Sequence, residues 1–354
     1  MKILFIAYST LDLYKPIEKE MRRQGHEVTS VIYRAGDIKY DPYRMYGRLR
    51  WLKKILFARI INVHDAYWRK RISNTKELSG KYDFLFVLSG TSVGKLLIHH
   101  IENHNPQIRK VLYTWDNLKY YDFRRLFPFF DKCYTFDIED SKNNKEFSLL
   151  PIYYEEDKET LSAESFKYDL FHIGSNHSGR FSFIKRLMPQ ISSNGFSYYI
   201  KVIGNSSVSL NWISKFHVCI CKLGIKDLPE DEKESLEFVN SDDPFQIKAY
   251  QTISMDEYNK LCRQSKVIID TQRSGQSGLT ARFMWAVGNG KKVITTNKFA
   301  YDYGFVYESQ VQIIDYENPV LPAVFIKSSY VEENKCGEIV RFRIDNWVKT
   351  ILSY

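Results

Sequence analysis

The chain has 354 residues, 44% of them hydrophobic and 26% charged, which describes a folded protein with more than one core and excludes a disordered one. Its 51 Lys and Arg against 42 acids leave a net charge of +9, a balance that suits anionic partners: nucleotides, nucleic acid or an anionic membrane surface. No stretch approaches the roughly 20 apolar residues of a spanning helix, and the apolar opening 1–7 is too short for the core of a secretion signal.

In chain order, 3–8 is a short apolar run suited to a buried parallel strand, and 16–24 carries helical spacing that ends at Gly25. Further strands are expected at 28–33, 82–88, 110–114 and 133–136, with a helix after Ser89-Gly90-Thr91 running to about 103. Residues 149–166 read as a linker, with a proline, clustered acids and no clear period. A second alternation follows: strand 169–173, the turn 174–180, a helix to about 191, strand 198–203, and a helix around 210–222. A polar, acid-rich loop is expected over 226–244. Then come strand 247–251, helix 254–264, and strands 267–270, 293–296 and 311–314. Parallel neighbours need crossovers, so this order predicts an α/β protein with two Rossmann-like domains in tandem, 1–155 and 156–330. Ligands of such sheets bind outside the strand C-termini.

Three features carry chemistry or location. Between Tyr43 and Arg71 there are nine Lys or Arg and one acid, Asp65, mixed with Trp51, Phe57, Tyr67 and Trp68. A basic, aromatic amphipathic helix over 43–72 can lie in an anionic membrane interface; packing on the sheet with a solvated basic face is the plainer alternative. The cysteines (Cys133, Cys219, Cys221, Cys262, Cys336) are odd in number and complete no zinc pattern, so reduced thiols and a cytoplasmic location are expected, the alternative being a peripheral position on the inner membrane face. The stretch Ser274-Gly-Gln-Ser-Gly-Leu-Thr280, between a strand and a short helix, offers unpaired amides to an anion, with Gly275 and Gly278 allowing close approach. An ordinary crossover turn would look the same.

Several motifs together give the chain a resemblance to a known family. They are Val111-Leu-Tyr-Thr-Trp-Asp-Asn117, Phe127-Pro-Phe-Phe-Asp-Lys-Cys-Tyr-Thr-Phe-Asp137, Tyr168-Asp-Leu-Phe-His-Ile-Gly174, Gln276-Ser-Gly-Leu-Thr280, Gly290-Lys-Lys-Val-Ile-Thr-Thr-Asn297 and Asn346-Trp347. The chain resembles bacterial GT-B glycosyltransferases of envelope polysaccharide (capsule, lipopolysaccharide, exopolysaccharide) clusters, with a CgeB-like layout. The resemblance implies two domains facing a central cleft and a C-terminal helix in 331–354 that packs back toward the N-terminal domain. It also implies a nucleotide-sugar donor and a lipid-linked or oligosaccharide acceptor. Donor contacts would come from Gly174, Ser175 and Asn176, and from Thr252 and Ile253 in the base-contacting segment 251–254. The diphosphate would lie on Gly275, Gln276, Ser277, Gly278, Leu279 and Thr280, with Arg273 or Arg282 supplying charge-assisted bonds. Amides and arginines would then take the part of a divalent ion, so neither metal nor cofactor is expected.

An inverting transfer needs a general base within hydrogen-bond reach of the acceptor hydroxyl. Asp116, just past a strand end, is the leading candidate; a helix-capping turn is the plain alternative. Asp12 and His177 are weaker ones. Asp137, Glu139 and Asp140 read as negative charge at a helix start, and Arg180 as an exposed helix arginine or a phosphate partner. The chain departs from the family pattern at Trp285, where a ribose-binding glutamate is expected three residues after Arg282, with Asp270 one substitute. That departure keeps open a non-catalytic binding or scaffold subunit. No nucleic-acid motif accompanies the basic residues, so nucleic acid is not an expected partner.

Overall fold

A computed structural model describes residues 1–9, 12–34, 63–157, 166–204, 230–329 and 337–354. The expected helix 210–222 and residues 43–62 of the expected amphipathic segment lie outside them. The chain divides into two compact units. Unit 1 comprises Met1–Glu155, Gly275–Met284 and Glu338–Tyr354; unit 2 comprises Glu156–Ser274 and Trp285–Gly337. This division differs from the expected span 156–330 in two places: Gly275–Met284, the glycine-rich turn and its following residues, belong with unit 1, and unit 2 runs on to Gly337.

Unit 1 begins with β1 (Lys2–Ser9), α1 (Tyr14–Arg23), β2 (Glu27–Arg34), α2 (Val63–Asn74), β3 (Phe84–Leu88) and α3 (Lys95–His104). It continues with β4 (Arg109–Thr114), β5 (Lys132–Thr135), α4 (Ile138–Asn143) and β6 (Phe147–Leu149). All six strands are parallel, in the order β2-β1-β3-β4-β5-β6. A parallel sheet covered on both faces needs apolar residues at every central position, and residues 3–7 and 84–88 are all fully buried. One face carries Leu4, Ile6, Leu85, Val87 and Leu112 against Trp68, Leu97 and Ile101 from α2 and α3. Trp68 and Tyr67 are thus part of the packing of unit 1, with Trp68 Nε1 donating to Ser92 O at 2.9 Å. Over 63–72 the plainer reading of the basic-aromatic segment therefore holds.

Unit 2 contains β7 (Tyr168–Ser175), α5 (Arg180–Ser193), β8 (Tyr198–Ile203), α6 (Glu230–Asn240), β9 (Lys248–Ala249) and α7 (Met255–Arg263). It goes on with β10 (Ser265–Asp270), then β11 (Lys292–Thr295), β12 (Val311–Ile313) and α9 (Ala323–Lys327) after α8 (Ala281–Gly288), within which the unit boundary falls. This second parallel sheet runs β12-β11-β10-β7-β8-β9. The apolar stripe of α5 (Phe183, Ile184, Leu187, Ile191) covers Leu170, Ile200, Val202, Val267 and Ile269. The acid-rich stretch expected as a loop contains α6. It is anchored by Phe238, which is buried and meets Phe181 edge-on with 5.0 Å between ring centroids, while Glu237 stays exposed. Ser254 caps α7, its hydroxyl accepting the Glu257 amide at 3.2 Å. Among the described residues no helix is long and apolar enough to cross a membrane.

The final helix, α10 (Ile344–Leu352), belongs to unit 1. Trp347 is fully buried there, edge-on to Tyr113 at 4.9 Å and Tyr153 at 5.6 Å between centroids, and its indole N–H donates to Pro151 O at 3.0 Å. Truncating it removes a large ring from a closed core and strands a carbonyl. Trp347→Ala is expected to lower the stability of unit 1 by about 3–5 kcal/mol, measured by urea unfolding; a loss below about 1 kcal/mol would show that the core collapses around the gap.

Candidate functional site

Two places bring the sequence-identified residues together, one in each unit. In unit 1 the glycine-rich turn is held by a carboxylate. Gly275 adopts φ 74°, the left-handed region where a side chain is strained. Gly278 is required for another reason, since a Cβ there would run into the Phe136 ring. The Ser277 and Gly278 amides donate to Asp137 Oδ2 at 2.8 and 3.1 Å, and the Ser277 hydroxyl makes a still shorter bond to Oδ1. The same hydroxyl accepts the Glu139 amide at 3.1 Å. Asn117 Nδ2 donates to Gly275 O at 2.9 Å and reaches Asp137 Oδ2 at 3.4 Å, while Asn117 Oδ1 is buried without a partner. Asp137 also caps α4 through the Asp140 amide at 3.1 Å. The helix-start reading of Asp137 is therefore right as far as it goes, but the aspartate's larger engagement is with residues 140 positions away.

Thr280 starts α8, its hydroxyl accepting the Phe283 amide at 3.1 Å. Leu279 is buried, Gln276 and Arg282 are half-buried, and Gly275 is exposed. Asp116 is half-buried in the turn after β4, next to Asn117 and hence to the glycine turn. Asp140 supports the same turn: Oδ2 accepts the Leu118 amide at 2.8 Å. Burial pushes the Asp140 carboxyl up from 3.8 to about 6, and the nearby Asp137 and Glu139 charges add to it against the opposing Leu118 amide and Lys119.

In unit 2 the strand order reverses between β7 and β10, and Arg180 fills that switch point. It is neither an exposed helix arginine nor an open phosphate partner. Only 6% exposed, it donates from Nε to Thr271 Oγ1 at 2.7 Å, from Nη2 to Thr271 O at 3.2 Å, and from Nη1 to Ser175 O. Gly174 makes room for it: a Cβ there would lie 2.7 Å from Nη1 and 3.0 Å from Cζ. A second carboxylate serves the turn that follows, with Glu234 Oε1 accepting the Gly179 amide at 2.6 Å and Glu234 O accepting Asn176 Nδ2 at 3.3 Å. Ser175 is exposed, Asn176 and His177 half-buried.

Beside this turn a cavity of about 420 Å³ opens along β7, β8 and the edge strand β9. Tyr199, Lys201, Tyr250, Gln251 and Ile253 line it over a floor that includes Ile173. Lys201 Nζ donates to Gln246 O, and Tyr250 is half exposed. Ile253 was expected from the sequence, and Thr252 beside it is exposed. Tyr199, Lys201 and Tyr250 were not singled out, although aromatic and cationic residues in and beside the short strands β8 and β9 were a usable signal. Arg273 is half-buried and Trp285 half-buried, whereas Asp270, the suggested ribose substitute, is 1% exposed, with Thr295 Oγ1 donating to it at 3.4 Å. Asp12 pairs with Lys15 at 2.7 Å on the surface. Among the described residues no group of three His, Cys, Asp or Glu is placed to hold a metal ion.

No protein-family model matches the chain, and no curated protein matches it by sequence. Among solved structures it is similar to a sucrose-phosphate synthase from Thermosynechococcus elongatus, with TM-score 0.54, 9% identity, and 99% of this chain and 97% of that chain covered. A UDP-N-acetylglucosamine 2-epimerase (TM-score 0.49, 9% identity, 99% and 95% covered) and MurG of Acinetobacter baumannii (0.47, 11%, 100% and 99%) are similar at lower TM-scores. The first likeness, with the two parallel six-stranded sheets, shows the fold: α/β, two Rossmann-like units in tandem, of the GT-B class.

Two outcomes are expected from these contacts. The folded state holds the Asp140 proton more tightly than the unfolded chain, so this group's contribution falls as pH rises from 3.8 to about 6 and stays low above. Asp140→Asn keeps an oxygen for the Leu118 amide and should gain stability relative to the parent across that window, then run parallel to it; identical pH profiles in chemical denaturation would contradict this. Gly174→Ala should cost about 1–3 kcal/mol by overpacking against Arg180, measured without any ligand; an unchanged denaturation midpoint would mean that Arg180 swings clear.

Proposed function

We propose that the protein is a glycosyltransferase that moves a sugar from a nucleotide-sugar to a lipid-linked or oligosaccharide acceptor in surface polysaccharide synthesis, without a metal. The observation that carries this is the unit 2 cavity. It runs along β8 and β9 and reaches the C-terminal part of β7, where open α/β sheets take ligands, and its volume suits a nucleoside. Tyr199 and Tyr250 offer ring faces to a base, the backbone of 251–253 offers polar edges, and Lys201 offers positive charge. Gly174, Ser175 and Asn176 form the adjoining turn. On this reading Arg273, Arg282 and the 275–280 turn meet the diphosphate.

The acceptor oxygen would replace the nucleoside diphosphate at the anomeric carbon, and in an inverting transfer Asp116 would take the hydroxyl proton. Such a base contributes about 10²–10⁴-fold. The remaining basic-aromatic residues of the expected segment, 43–62, motivate a lipid-linked acceptor and an anionic membrane surface. Trp285 favours a second reading, a binding subunit of the same pathway that kept the fold without turnover.

A thermal scan with UDP-, GDP-, CDP- and dTDP-sugars, with and without EDTA, separates the two. A ligand at a hundred times its Kd adds about 2.7 kcal/mol, so one nucleotide class should raise Tm by several degrees, unaffected by EDTA. A flat panel at saturating ligand would overturn the transferase reading. Given a responsive donor, Asp116→Asn should reduce turnover by about 10²-fold or more with donor binding unchanged; retained turnover would remove Asp116 as the base.

A further inference from the structure

The glycine-rich turn is not an empty anion site. The buried Asp137 carboxylate already receives the Ser277 and Gly278 amides and the Ser277 hydroxyl, three donors of the kind that would hold a phosphate oxygen. The aspartate is 1% exposed, and two further donors, the Asp140 amide and Asn117 Nδ2, complete five around it. Asn117 is itself buried, bonds the turn at Gly275 O, and leaves Oδ1 unsatisfied, so the cluster is not fully matched in this arrangement. Gly278 sits flat against Phe136, so the turn is seated on unit 1 as well as bonded to it.

We infer that Asp137 is an internal anion that holds the 275–280 turn closed, and that a diphosphate-bearing ligand engages the Ser277 and Gly278 amides only by displacing it. This deepens the transferase reading, on which the identity of the ligand rests. Displacement need not undo α4: the Asp140 amide stays with the aspartate, and only the turn exchanges its acceptor. A dianion brings more charge and more acceptor oxygens than the carboxylate, so the exchange can run toward the ligand. The carboxylate then selects against weaker monoanions, which cannot replace what they remove.

The probe is inorganic pyrophosphate, titrated calorimetrically at fixed ionic strength into the parent and into Asp137→Asn. Asparagine caps helices as well as aspartate, so α4 keeps its start while the negative charge at the amides is gone. Asp137→Ser, another good cap, serves as the second variant should the first fold poorly, and thermal melts check both. The expected result is pyrophosphate affinity raised about tenfold or more in the variants. Equal affinity, or no binding to any of the three, would overturn the inference. The two readings fail separately. A nucleotide-sugar that stabilises the parent, with no gain in the variants, leaves the transferase and removes the latch. A pyrophosphate gain with a flat nucleotide-sugar panel leaves the latch and removes the transferase.

Discussion

A buried carboxylate persists only where enough donors converge on it, because taking an unpaired charge out of water costs several kcal/mol. Asp137 meets that condition with groups from three stretches of chain: its own helix start, the turn after β4 through Asn117, and the glycine-rich turn. Much of the local order of unit 1 follows. The aspartate fixes where α4 begins, Asn117 is fixed by the aspartate and by Gly275 O, and Gly278 is brought onto Phe136. Asp116, one residue before Asn117, inherits its position from the same cluster.

Unit 2 repeats the device with different residues. Backbone amides at a helix start have no partner in the helix itself, and here Glu234 supplies one to Gly179 while Arg180 satisfies the carbonyls of Ser175 and Thr271. Both turns with the look of phosphate loops thus carry a carboxylate of the chain itself. Among the described residues the neighbouring cavity is different: its two lining lysines, Lys201 and Lys248, donate to backbone carbonyls, and Tyr199 and Tyr250 line it with rings. On the proposed reading, recognition of a base and accommodation of a diphosphate would be different physical problems, the first one of fit and the second one of exchange.

The strands were legible because a parallel sheet buried on both faces demands continuous apolar runs, and 3–7, 84–88 and 267–269 have no exposed position to blur them. Short elements show no period: β6, with three residues, was not legible, and α4, with six, was marked only by the acids at its start. The helix α6 was hidden by its acids, since one buried Phe238 does not make a stripe. At the site, the need for glycine at 275 and 278 could be seen, but the reason at 278 could not, nor any need for glycine at 174. Gly278 answers to Phe136 and Gly174 to Arg180, partners that only the folded chain brings close. Asp137 was assigned to its own helix because local spacing contains nothing about Ser277. Arg180 reads from the sequence as a solvent or phosphate arginine because its burial depends on acceptors at Ser175 and at Thr271, just past β10.

The division of the chain has a consequence for the order in which it can mature. Unit 2 lies within the sequence of unit 1, so on a ribosome its sheet can be complete while unit 1 still lacks Glu338–Tyr354. Until those residues emerge, the sheet face that carries Phe86 and Tyr113 has no Trp347 to meet. Domains generally form as units during synthesis, and exposed apolar surface in a waiting intermediate is the usual route to aggregation. The half made first is thus the half finished last, and its nascent sheet is where a chaperone would have the longest time to act.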